Sequence, residues 1–170
     1  MVSVRSNTAS CLMALCSFPE EILQKSLGPE FIANRVGPGN AKLFYIEGRT
    51  AINLANEVFG YDGWSSEVLE TVTDFIDVDD RGRVSLGIAA RVRVTLKCGT
   101  YHEDWGYGSF ENAKTKADAF EKARKESVTD GLKRALRLFG DVMGNCIYDK
   151  NYLRNIGNMA KPAARKKRKS

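Results

Sequence analysis

The strongest pattern in the chain is a near-strict alternation from Arg83 to Lys97. Val84, Leu86, Ile88, Ala90, Val92, Val94 and Leu96 fall on one face, and Arg83, Ser85, Gly87, Ala89, Arg91, Arg93, Thr95 and Lys97 on the other. A period of two turns the first row toward a core and leaves a basic row facing away, as in a half-buried strand. "EVLETVTDFIDV" before it has strand composition, "DDRG" between them reads as a turn, and "CG" after it leads into "TYHEDWGYG". Three strands of an antiparallel meander are predicted, with "GYG" marking the end of the third.

Helical spacing flanks this block. "FPEEILQKSLGPEFI" opens with Pro19 and two acids, carries Ile22, Leu23 and Leu27, and stops at Gly28-Pro29, which predicts a short amphipathic helix. A Gly/Pro loop, "RVGPGN", then runs into a short strand through Leu43 and Tyr45. "RTAINLANEVFG" places Ala51, Ile52, Ala55, Val58 and Phe59 on a helix capped by Gly60. A long helix from about Asn112 to Phe139 follows the meander. The predicted class is α+β: an antiparallel meander packed with helices, ending in a long basic helix. Residues 1–18 are expected to be a disordered N-terminus, 19–158 a single domain, and 159–170 a basic tail.

The long helix changes character along its length. "EKARKESVTDGLKRALRLFG" mixes acid and base at first, then shows Lys133, Arg134 and Arg137 with no acid after Asp130. At 100° per residue, Val128, Leu132, Ala135 and Phe139 cluster within about 60° as the expected buried stripe, and the three cations lie on the opposite side. Asp130 and Arg134 form an i,i+4 pair, but Lys133 and Arg137 have no acid four residues upstream. A solvated face, a favourable helix dipole and a phosphate site all accommodate this pattern.

Charge sharpens the picture only after it is divided. The formal net charge is +5, but the last ten residues hold six Lys or Arg and no acid. Any polyanion site in the body must therefore come from clustering. Cys11, Cys16, Cys98 and Cys146 are scattered and His102 is the only histidine, which argues against structural zinc and for reduced thiols in an intracellular compartment. No apolar run reaches the roughly 20 residues of a membrane helix, and no membrane partner is expected. The acid-free start has a faint transit-peptide flavour, and "RKKRK" reads as a nuclear-import signal; nucleus is expected, with mitochondrion as the alternative.

Carboxylates at Asp74, Asp77, Asp79, Asp80, Glu103 and Asp104 raise the alternative of a metal-dependent nuclease. "DVDDRG" imitates a calcium loop, but Arg81 and Ile88 stand where ligands are needed. His102 beside Glu103 lacks a nucleophile partner. The reading is a non-enzymatic protein with no cofactor and no metal. A generic basic-tailed RNA-binding protein is the other alternative.

Four segments carry a resemblance: "YIEGRTAINLANEVFGYDGW", "VRVTLKCGTYHEDWGYG", "EKARKESVTDGLKRALRLFG" and "GNCIYDKNYLR". In order and spacing they resemble the Rad52 family of DNA single-strand annealing proteins, from about Pro19 to Arg154. The resemblance implies a ring of identical subunits that binds single-stranded DNA without sequence preference and anneals complementary strands in homologous recombination and double-strand break repair. It implies an inner groove of a loop arginine, Arg35, a strand tyrosine, Tyr45, and the helix trio Lys133, Arg134 and Arg137. It also implies an outer site at Arg83, Lys114, Lys125, Lys150 and Arg154. Cations that grip phosphates leave bases free to pair, as annealing requires. Thr50, Trp105 and Asp141 depart from the family pattern. A longer paralogue of the same family is a further candidate partner. Because the chain stops at Ser170, contacts with a recombinase and a single-strand-binding protein are in doubt.

Overall fold

The computed structural model describes residues 20–159. The expected N-terminal disorder at 1–18 and nearly all of the basic tail lie outside the described residues. Within them the class is α+β, as the patterning predicts.

The chain starts with a single helical turn, α1 (Glu20–Leu23), far shorter than the predicted amphipathic helix, and a 3-10 turn at Pro29–Phe31. The region predicted as a Gly/Pro loop contains a strand, β1 (Ala33–Val36), hairpinned to β2 (Lys42–Tyr45) with Ala33 opposite Tyr45. The hairpin turns through Gly39 and Asn40, both at positive φ, and Gly37 N donates to Ala41 O at 2.7 Å. Arg35 is therefore a strand residue. Short strands of mixed polarity leave no clear period to read.

Helix α2 (Gly48–Phe59) buries Ala51, Leu54, Ala55 and Phe59, and Gly60 closes it at φ 88°. The meander follows: β3 (Trp64–Val78), β4 (Val84–Leu96) and β5 (Tyr101–Ala113), in spatial order β3-β4-β5. All seven apolar residues of the predicted β4 row are buried. The other row is not a bare basic face. Arg93 pairs with Glu67 at 3.1 Å and Glu103 at 2.6 Å, and Arg91 with Glu70 at 3.4 Å and Glu103 at 3.6 Å. Acids of the two outer strands neutralise the middle one.

The long helix, α3 (Lys116–Arg137), begins later than predicted. Asn112 and Ala113 still belong to β5, and the Thr115 hydroxyl caps the helix by accepting from Asp118 N at 3.1 Å. Its buried face also differs. Ala119, Ala123, Ser127, Gly131 and Ala135 recur every four residues, with Leu136 beside them, whereas Val128 and Leu132 are only half-buried. A four-residue row is inclined to the helix axis, so the stripe spirals to follow the twisted sheet beneath.

Small residues are required because the helix lies almost backbone on backbone against β5. A Cβ on Gly106 would fall on the main chain of Gly131 and Ser127, and one on Gly108 on the carbonyl of Ala123. "GYG" thus sits inside β5, not at its end. Leu86 and Ile88, with Ala119 and Ala123, fill a core at one end of the sheet. A larger core joins α2, Val94, Leu96, Leu136 and the 3-10 turns at Asp141–Met143 and Asn145–Tyr148. Helix α4 (Lys150–Asn158) ends the described chain. Cys146 is free and buried.

Candidate nucleic-acid interface

The β1–β2 hairpin stands beside the outer face of α3, and the space between them is a groove of about 600 Å³. Arg35, Tyr45, Tyr107, Lys122, Lys125, Thr129, Lys133 and Arg134 line it, with Glu126 and Asp130 as its acids. On α3, Lys122, Lys125, Thr129 and Lys133 follow at steps of three and four and so share one face. From the hairpin, the diagonal across the Ala33–Tyr45 pair sets the Arg35 guanidinium 5.8 Å from the Tyr45 ring centroid.

A smaller cavity of about 140 Å³ adjoins the groove, sharing Tyr45, Asp130, Lys133 and Arg134 with it. Arg137 and Tyr148 stand at its wall, and Phe44, Ile46, Met143 and Ile147 add apolar lining. The structure therefore brings all five expected inner residues, Arg35, Tyr45, Lys133, Arg134 and Arg137, around two connected spaces.

The cations are not bare. Arg134 Nε donates to Asp130 Oδ2 at 2.7 Å, and Lys133 Nζ lies 3.9 Å from Asp130 Oδ1. Burial lowers the Arg134 pKa, but the Asp130 hydrogen bond and charge outweigh it and the guanidinium is held above its ordinary value. Arg137 Nη2 meets Asp104 Oδ2 at 3.4 Å, and its guanidinium sits 4.3 Å from the Tyr148 ring centroid. Neither Lys133 nor Arg137 has an acid four residues upstream, yet both are paired by other routes. The Lys133 partner is three residues upstream, and the Arg137 partner comes from β5. Asp104 lies two residues from Gly106, so strand alternation turns it toward the helix.

The five expected outer residues do not converge. Lys125 belongs to the groove just described. Arg83 and Lys114 flank the Val84–Ala113 pair at one end of the sheet, and Arg83 is held by Asp79 at 3.3 Å. Lys150 and Arg154 are exposed and one turn apart on α4. Sequence reading missed Lys122, whose ammonium rests 4.3 Å from the Phe110 ring centroid, and Tyr148. The i,i+3 step from Lys122 to Lys125 was an available signal; nothing in the sequence flagged Tyr148.

The Asp79 carboxylate accepts from the Arg81 and Arg83 amides at 3.0 and 2.6 Å and so ties the β3–β4 turn. Among the described residues no group of three His, Cys, Asp or Glu is placed to hold a metal ion. His102 faces inward on β5 with its ring edge-on to Phe139 at 4.6 Å, a packing role. No described helix is long and apolar enough to cross a membrane.

An α+β domain that presents a cationic groove with tyrosines in its walls has the composition of a polyanion-binding module. The chain belongs to the Rad52/22 family of double-strand break repair proteins, whose family pattern it matches over residues 19–166. It is 53% identical over 147 residues to the DNA repair and recombination protein rad22 of Schizosaccharomyces pombe, an overlap of 86% of this chain and 31% of that protein. It is 56% identical over 134 residues to the DNA repair and recombination protein RAD52 of Saccharomyces cerevisiae, covering 79% of this chain and 28% of that one. With the RAD52 protein of Kluyveromyces lactis the identity is 52% over 153 residues, 83% of this chain and 35% of the relative. The chain thus spans about a third or less of the length of these relatives.

Proposed function

We propose that this chain binds single-stranded DNA without sequence preference in the groove between the β1–β2 hairpin and α3, and anneals complementary strands in recombination and double-strand break repair. The observation that carries the reading is the convergence of Arg35 and Tyr45 from the hairpin with Lys133 and Arg134 from the helix around one groove. Cations at that spacing meet phosphates, contacts that hold a strand without reading its sequence. The names of the relatives, DNA repair and recombination proteins, supply the process. The role is binding and strand pairing without catalysis, in the nucleus.

Assembly into a ring of identical subunits belongs to the same reading. β3 and β5 are the end strands of the sheet, and β3 exposes Val68, Val72, Phe75, Ile76 and Val78. A neighbouring copy would cover both the apolar side chains and an unpaired edge. A longer family paralogue could enter the same ring.

Fluorescence anisotropy with labelled oligo-dT and with scrambled single strands, over a salt series, tests the binding. Affinity is expected to be equal among sequences and to fall steeply with salt, by roughly 0.7 of log-log slope per phosphate contact. A tenfold preference for one sequence, or a flat salt response, overturns it. Annealing of complementary strands and mass by light scattering test the other two parts; a folded monomer at micromolar concentration removes the ring.

A further inference from the structure

We propose that Tyr148 is a positioning residue of this groove, holding the Arg137 guanidinium in the orientation in which it meets a phosphate. The inference rests on the reading of the groove as a single-strand site.

Arg137 is weakly fixed by hydrogen bonds. Its contact with Asp104 is 3.4 Å long, and its Nε is buried without a hydrogen-bond partner. A planar fork held at one corner can pivot, so its five donors point at no fixed place. The Tyr148 ring, 4.3 Å from the guanidinium carbon, removes that freedom by lying against the cation. The ring is itself held by the main chain. Tyr148 ends a 3-10 turn in which Cys146 is buried, and Gly144 enters it at φ 107° with its amide bonded to Asp141 O at 2.9 Å.

Tyr148 is 60% exposed, yet it lines the cavity with Tyr45, Lys133, Arg134 and Arg137. The arrangement repeats that of Arg35 and Tyr45 in the adjoining groove. Arg35 in the groove and Arg137 in the adjoining cavity therefore each have a tyrosine against them, while Lys133 and Arg134, which line both spaces, are held by Asp130. An arginine pre-set by a ring loses less freedom on meeting phosphate, which raises affinity without adding a contact to the strand.

The test compares Tyr148→Leu, Tyr148→Phe, Arg137→Ala and the Tyr148→Leu/Arg137→Ala pair by anisotropy with oligo-dT, with Tyr61→Leu as an exposed control. Tyr148→Leu is expected to weaken binding roughly 3- to 10-fold, and Tyr148→Phe, which keeps the ring, to stay within about twofold of wild type. The salt slope of Tyr148→Leu should fall toward that of Arg137→Ala, by up to about 0.7. The double variant should bind no more weakly than Arg137→Ala alone. Wild-type affinity in Tyr148→Leu overturns the proposal, as does a loss that adds in full to that of Arg137→Ala. Should leucine lower the melting temperature, Tyr148→Ser is read against the same outcomes. Absence of binding by the wild-type chain instead overturns the groove reading itself.

Discussion

Arg134 Nε donates to Asp130 Oδ2 at 2.7 Å, one turn earlier on the same helix, while the Tyr107 amide donates to the same oxygen at 3.3 Å. One carboxylate thus holds a groove cation and ties the helix to the edge of β5. In the free protein it also offsets part of the positive potential that a strand would meet.

Asp130→Asn keeps an oxygen in this position and removes the charge. Single-strand affinity is expected to rise several-fold at low salt, and the gain to shrink as screening increases. Anisotropy at two ionic strengths checks it; weaker binding at both would mean that Asp130 acts mainly by holding Arg134 in place.

The groove cations and the core face of α3 should separate cleanly under mutation. Lys133→Ala and Arg137→Ala are expected to weaken single-strand binding and leave the melting temperature within a few degrees of wild type. Leu136, fully buried, is the sensitive core position; Leu136→Ala should cost about 2 to 5 kcal/mol through the cavity it leaves. Glu121→Ala, exposed on the same helix, serves as the control for both. Circular dichroism with parallel anisotropy reads all four, and loss of binding only through unfolding would remove the groove assignment.

Gly106→Ala should be among the most damaging one-carbon changes in the chain. Its new methyl would fall on the backbone of Gly131 and Ser127, which no rotamer change can relieve. A destabilisation of about 1 to 3 kcal/mol or more is expected from overpacking. Gly99→Ala is the comparison, since a Cβ there meets open space and only the positive φ resists it. Urea unfolding of both variants decides the order.

Tyr152 donates its hydroxyl to Leu27 O at 2.6 Å, and burial, then the neighbouring Cys146 thiol, raises its pKa above the ordinary 10.0. The folded state therefore favours the protonated phenol. This contribution is complete below about pH 10 and is lost as pH climbs toward the folded value. Tyr152→Phe should cost about 1 kcal/mol at neutral pH and flatten the alkaline loss of stability. Melting temperatures from pH 7 to 11 check it; an unchanged alkaline slope would assign that loss to other groups.

The meander was legible because β4 alternates almost without exception, and α2 and α3 because their apolar residues recur at helical spacing. β1 was missed since four residues of mixed polarity carry no period, although Arg35 itself was identified through family resemblance. The stripe on α3 was misplaced for a different reason. Local apolar residues such as Val128 and Leu132 drew attention, but the surface against β5 is made by alanine, serine and glycine, whose fitness for burial comes from size rather than hydrophobicity. The acid partners of the cations were hidden in part because Asp104 reaches Arg137 across 33 positions of sequence. The outer cations were named one by one, and their dispersal between turn, groove and α4 depends on tertiary placement that no spacing encodes.

The glycine contact between β5 and α3 has a mechanical side. Most helices ride on a sheet through a layer of interlocking side chains, which can yield when load is applied from one side. Here that layer is missing at Gly106, Gly108 and Gly131, so peptide planes bear directly on peptide planes. The height of Lys133 and Arg134 above the sheet is set there by the thickness of the main chain, and a side chain added at any of the three glycines would change it. Under the proposed function, a strand drawn into the groove would pull against a stiff bed, and its phosphates would meet cations held at one elevation by the backbone contact below them.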